Sequence, residues 1–141
     1  MIWIYHKMLM TPKHKKILLA DDDSEDRDML ADALQGVGIP LEIDTVANGQ
    51  EVLDYLFNCR ENELPSLIIL DYKMPLLNAA EVLESIKDDS LYTEITKIVW
   101  STSGQTEHKN RCMIAGAKQY FVKPSAFHEL KDIAQAILKT I

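Results

Sequence analysis

The chain has 141 residues, 47% hydrophobic and 26% charged, which suits one domain with its own core and is too apolar for a disordered chain. Fifteen Lys and Arg against 22 Asp and Glu leave a formal charge of −7, which argues against a general binder of nucleic-acid phosphates, whose affinity comes from clustered basic charge. No apolar run approaches the roughly 18 residues of a membrane span. The apolar opening MIWIYHKMLM is broken by Lys7 and has no small-residue cleavage site after it, and Cys59 and Cys112 lie outside any CxxC. The expectation is a cytoplasmic protein with two inert thiols.

Residues 1–14 read as a leader that ends in a polar, basic run before the first strand signal; it is either a flexible arm or the product of an early start codon, Met8 and Met10 being other possible starts. The domain proper is expected over 15–141. Ile17 to Ala20 is a short apolar run ending in acids. Residues 24–36 place Met29, Leu30, Ala33, Leu34 and Val37 at helical spacing, and Gly36, Gly38 and Pro40 stop the helix. Leu41 to Val46 largely alternates, as a half-buried edge strand does. Asn48-Gly49 reads as a turn, followed by a helix carrying Val52, Leu53 and Leu56. Leu67 to Leu70 is a continuous apolar run, expected of a strand covered on both faces. Ala79, Val82, Leu83 and Ile86 mark a third helix, and Ile98 to Trp100 a fourth strand. Residues 105–115 form a weaker helix ending at Gly116, Tyr120 to Val122 a fifth strand. The last helix carries Phe127, Leu130, Ile133, Ala134, Ile137, Leu138 and Ile141 on one stripe.

Strict alternation of strands and helices argues for an α/β protein with a parallel sheet covered by helices on both faces. Ligands of such sheets bind beyond the carboxyl ends of the strands, near a topological switch point. There the first strand ends in Asp21-Asp22-Asp23, the third in Asp71, the fourth in Ser101-Thr102 and the fifth in Lys123-Pro124. Carboxylates crowded on one rim need protons or a cation. Oxygen ligands without His or Cys favour a hard divalent ion, above all Mg²⁺. A lysine and a hydroxyl beside them complete a cradle for phosphoryl oxygens. A carboxylate nucleophile, Mg²⁺ and a cationic clamp suit phosphoryl transfer through an aspartyl phosphate.

These four segments, Lys16 to Asp23, Leu70-Asp71-Tyr72-Lys73-Met74-Pro75, Val99 to Thr102 and Tyr120-Phe121-Val122-Lys123-Pro124, resemble the receiver domain of two-component response regulators in order and spacing, over about residues 16–140. The resemblance implies a CheY-like, flavodoxin-type fold: three α/β/α layers around a five-stranded parallel sheet of order 2-1-3-4-5. It implies that Asp71 accepts the phosphoryl group, and that Asp21, Asp22 and Asp71 with the backbone carbonyl of Lys73 hold Mg²⁺. Ser101 corresponds to the switch hydroxyl, Lys123 to the lysine that pairs with the phosphoryl group, and Tyr120 to an aromatic that changes rotamer on activation. The peptide before Pro124 is often cis in this family, although X–Pro by itself favours trans. The implied donor is a sensor histidine kinase or a histidine phosphotransfer protein, and the implied output is contact with another protein, without nucleic acid or membrane. Two features depart from the family or invite comment. Asn78-Ala79-Ala80 stands where receivers commonly have Gly, and a positive φ at Ala79 would cost about 1 kcal/mol. Lys73 sits where it could reach the phosphoryl group and shield it from water.

Plainer roles are expected for other residues. Asp23 and Ser24 suit a helix N-cap, Trp3 and Trp100 packing, and His6, His14, His108 and His128 the surface. His108, Lys109 and Arg111 form a local basic patch, either a solvated face or a docking face. Two other functions compete: a pseudo-receiver that only binds partners, and a phosphatase resembling the haloacid-dehalogenase superfamily. The latter's Asp-x-Asp-x-Thr/Val pattern fails at Glu25. A dinucleotide-binding reading of Gly36-Val37-Gly38 fails because those glycines follow a helix.

Overall fold

The computed structural model describes residues 14–141, so all of the leader but His14 lies outside the described residues. In chain order the elements are β1 (Lys15–Ala20), α1 (Ser24–Gln35), β2 (Leu41–Val46), α2 (Gly49–Asn58), β3 (Leu67–Leu70), α3 (Ala79–Ile86), β4 (Thr96–Ser101), α4 (Thr106–Ile114), β5 (Gln119–Val122) and α5 (Glu129–Leu138). Single 3-10 turns at Glu61–Glu63 and Ser90–Tyr92 lead into β3 and β4 and had no signal in the hydrophobic pattern. The strands form one sheet of order β2-β1-β3-β4-β5, parallel at every pairing. This is the three-layer architecture expected.

Alternation along each inner strand divides the core in two. Leu18, Ala20, Ile68, Leu70 and Val99 face one way and meet Val52, Leu53 and Leu56 of α2, the apolar face of α3 and Cys112 of α4. Ile17, Leu19, Leu67, Ile69, Ile98 and Trp100 face the other way and meet Leu30 and Leu34 of α1 and Leu130, Ala134, Ile137 and Leu138 of α5. Both sets are buried, which is why β3 reads as an unbroken apolar run. The chain runs from β1 out to β2 and returns to β3 on the other side of β1, so the switch point falls between β1 and β3. Asp21 and Asp71 leave the sheet at that point, from the paired ends Ala20 and Leu70.

Several local expectations change. Asn48-Gly49 is a helix start: the Asn48 side chain accepts the Glu51 amide at 2.8 Å, and Gly49 opens α2. Phe127 is off the α5 stripe, because the helix begins only at Glu129 and leaves Phe127 74% exposed. Ala79 has no positive φ. It opens α3 behind a capping box between Asn78 and Glu81, and the left-handed residue of that loop is Leu76, at φ 70°. The Lys123–Pro124 peptide is trans. Asp23 caps α1 as expected, accepting the Asp26 amide at 3.1 Å, with Ser24 the first helical residue. Cys112 is buried and Cys59 half-buried.

Gly49 lies against the loop after β3, where a Cβ would stand 2.3 Å from the Leu77 carbonyl oxygen. Backbone cannot yield there as a flexible side chain could. Gly49→Ala is expected to destabilise the fold by about 1–3 kcal/mol, read as a lower urea midpoint at unchanged m-value. Leu76→Asn should act oppositely and raise stability by about 1 kcal/mol, since Asn tolerates the left-handed region better than Leu. The same urea titration would show it.

Candidate functional site

The site lies at the carboxyl edge of β1, β3, β4 and β5. Backbone bonds between neighbours carry each chain segment into it: the Asp71 amide donates to the Ala20 carbonyl at 2.9 Å, the Lys123 amide to the Ser101 carbonyl at 2.8 Å, and the Asp21 amide to the Val46 carbonyl at 3.1 Å. Asp21 and Asp71 are buried and Asp22 is exposed at the rim. One carboxylate oxygen from each of the three lies within 4.8 Å of the others. Asp21 is pinned by the Asp23 amide on Oδ1 at 2.9 Å, while the Arg27 guanidinium donates to its carbonyl at 2.9 Å. Asp71 Oδ1 is buried and, among the described residues, accepts no hydrogen bond.

Lys123 enters from the end of β5. Its Nζ donates to Asp21 Oδ2 at 2.8 Å, Asp26 Oδ2 at 2.9 Å and Asp71 Oδ2 at 3.2 Å, and it lies 4.8 Å from the centre of the Trp100 ring. Trp100 is therefore both a core residue and the floor under the ammonium. Burial alone would lower the Lys123 pKa, but bonds to Asp21 and Asp26 and the field of Asp71 outweigh it and raise the pKa above the usual lysine value. The Asp71 carboxyl is pushed up to about 6, first by burial and then by the Asp21 charge, with Lys123 opposing.

Asp26 went unrecognised in the sequence. It stands one turn into α1, behind the cap at Asp23, and only the closeness of α1 to the end of β5 brings it to Lys123. Ser103 was also missed. Ser101 is buried and Thr102 is exposed, and Ser103 is the buried residue of the following loop. Its amide donates to Ser101 Oγ at 3.2 Å, and its carbonyl accepts the Tyr120 hydroxyl at 2.6 Å. Lys73 has an exposed side chain.

The surface reading of His108 fails. The ring is half-buried, lies 4.0 Å from the Tyr72 ring and nearly parallel to it, and shares a 2.6 Å hydrogen bond between Nδ1 and Ser103 Oγ. The basic patch dissolves with it, because Arg111 is bound to Glu84 of α3 through bonds of 2.6 and 2.9 Å. Lys109 is exposed, as is Arg111 in its pair with Glu84. His14 and His128 are at the surface as expected, and His6 lies outside the described residues.

A model of the response regulator receiver domain matches residues 17–135. The chain belongs to that family. As a receiver domain of two-component response regulators it is 31% identical to the phosphorylated cyanobacterial phytochrome response regulator RcpA, with a TM-score of 0.81 over 92% of this chain and 97% of that one. It is 26% identical to the Mn²⁺-bound form of response regulator Rcp1, with a TM-score of 0.78 over 87% of this receiver and 91% of that chain. Among curated proteins it is 28% identical over 130 residues to the two-component response regulator ARR15 of Arabidopsis thaliana, covering 87% of the receiver and 62% of that protein. The chain thus spans less than two thirds of that relative's length. Among the described residues no helix is long and apolar enough to cross a membrane.

The raised Asp71 pKa makes a stability prediction for the metal-free receiver. Between about pH 4 and pH 6 the folded protein holds a proton that the unfolded chain has released, so this carboxyl's contribution falls as pH rises through that window. Asp71→Asn is expected to raise the unfolding free energy by about 2 kcal/mol at neutral pH and by little near pH 4. Urea titrations with chelator at the two pH values give the comparison.

Proposed function

We propose that residues 15–141 act as a phosphorylation switch in which Asp71 takes a phosphoryl group from a phosphohistidine of a sensor histidine kinase or a histidine phosphotransfer protein. A carboxylate oxygen of Asp71 attacks phosphorus, the P–N bond to the donor imidazole breaks, and the imidazole keeps the bonding pair and takes up a proton. The observation that carries this reading is the buried Asp71 Oδ1, without a partner among the described residues, in a group of carboxylates that share one lysine. A buried polar atom without a partner is uncommon and asks for an occupant. The donor set fits Mg²⁺: Asp21, Asp22 and Asp71 offer oxygens only, and the Lys73 carbonyl would complete the protein ligands. Bound there, Mg²⁺ would neutralise charge on the phosphoryl oxygens. The Mn²⁺-bound form of Rcp1 and the phosphorylated form of RcpA are states of related receivers that support both halves of the proposal.

This chain's own residues then divide the work. Lys123 is already held beside Asp71 and can shift its third bond to a phosphoryl oxygen. Ser101 can donate its hydroxyl proton to another. Tyr120, bonded to the loop that carries Ser103, follows the change at Ser101 and alters the surface offered to a partner. Lys73, exposed at the rim, can lie over the phosphoryl group and slow its hydrolysis. Catalysis in this reading is confined to the receiver's own phosphorylation and dephosphorylation, and the output is a protein contact.

Intact-mass measurement after incubation with acetyl phosphate and Mg²⁺ tests the assignment. Wild type should gain the mass of one phosphoryl group, and Asp71→Asn should gain none. A gain that survives in Asp71→Asn would move the acceptor elsewhere, with Asp21 next to mutate. No gain on either protein, nor with a phosphohistidine donor, would favour partner binding without phosphorylation.

A further inference from the structure

The loop from Ser101 to α4 is anchored through one residue. Thr102, Gly104 and Gln105 are exposed, while Ser103 is buried with each of its polar groups engaged. Its amide meets Ser101 Oγ, its carbonyl meets the Tyr120 hydroxyl, and its own Oγ accepts the Gln105 amide at 3.4 Å and lies 2.6 Å from His108 Nδ1. His108 is fixed in turn, because its imidazole lies against the buried Tyr72 ring at 4.0 Å with a 13° tilt. Tyr72 directly follows Asp71, and Ser103 lies two residues after Ser101. One imidazole on the first turns of α4 therefore ties the end of β3 to the end of β4 from behind the site.

The hydrogen bonding at Ser101 gives that tie a consequence. Ser101 Oγ accepts from the Ser103 amide and lies beside the Tyr120 hydroxyl, so its proton can turn from Tyr120 to another acceptor. Resting on the reading of Asp71 as phospho-acceptor, we propose that His108 is a positioning residue for phosphoryl capture: it clamps Ser103 from α4 and so holds the Ser101 hydroxyl ready for a phosphoryl oxygen. By linkage the same clamp carries the event outward, since whatever draws Ser101 to the phosphoryl group strengthens the hold on Ser103 and hence on His108 and α4. The Ser103–His108 bond is the working part and the Tyr72 stack its support.

Beryllofluoride with Mg²⁺, a tetrahedral stand-in for the phosphoryl group, provides the probe. Calorimetry on the full chain should find His108→Ala weaker for beryllofluoride by about threefold to tenfold, the worth of one hydrogen bond, with Mg²⁺ affinity unchanged. His108→Asn, whose amide can stand near the position of Nδ1, should recover most of the affinity. His108→Phe, which keeps the stack and loses the hydrogen bond, should not. Ser103→Ala should match His108→Ala, and the double variant should lose no more than either alone. Wild-type affinity in His108→Ala, or recovery by Phe as good as by Asn, overturns the clamp and leaves the Asp71 reading standing. A wild type that fails to bind beryllofluoride in Mg²⁺ overturns that reading and the clamp with it. If His108→Ala does not fold, the Asn and Phe pair with Ser103→Ala decides the question.

Discussion

One ammonium holds the carboxyl edge of this sheet together. Lys123 Nζ binds three carboxylates at once, from β1, α1 and the end of β3, in a place where its side chain is almost fully removed from water. Without a cation those acids would repel one another at the switch point, and burial would deepen the penalty. Burial, and after it the Asp21 charge, still hold the Asp71 carboxyl well above its ordinary value, with Lys123 opposing. Asp21 and Asp71, both buried, share this one lysine with Asp26.

The rest of the fold serves to bring Lys123 there. The lysine leaves β5 at one margin of the sheet and must cross the end of β4 to reach Asp21 and Asp71. Trp100, the penultimate residue of β4, gives it an aromatic surface to cross. Burial of Trp100 among α1, α5 and the inner strands keeps that surface in place. Two helices of the same layer are unequal. α3 buries five residues, whereas α4 buries only Cys112 and is joined to α3 by the exposed Arg111–Glu84 pair. An element with so little buried apolar surface is held mainly by polar contacts at its ends and can respond when those contacts change. The His108–Ser103 bond is such a contact, and it starts at the site.

Much of this was legible in the residues. The unbroken apolar run in β3 marked a strand covered on both faces, the alternation in β2 marked an edge, and acids, hydroxyls and a lysine at four strand ends pointed to the candidate site. These features are local, and the parallel sheet makes its strand ends converge whatever the surface sequence is. Misreadings arose where a local pattern had two outcomes. Asn-Gly suits a turn or a helix cap, and it caps α2 because Gly49 must pass against the Leu77 backbone. Phe127 matches the α5 period, but the helix starts two residues later. The His108, Lys109 and Arg111 trio looked like one basic patch until α3 supplied Glu84 and the β3 loop supplied Tyr72.

The sequence by itself determined the layer architecture, the family and the set of acids, hydroxyl and lysine at the functional edge, because each depends on the period of apolar residues or on the residue types just past the end of a strand. Only the tertiary structure decided that Asp26 shares Lys123, that Ser103 carries the loop after β4, and that His108 faces inward. Those facts depend on distances between segments far apart in the chain, set by how α1 and α4 pack against the sheet, and no spacing along the chain encodes them.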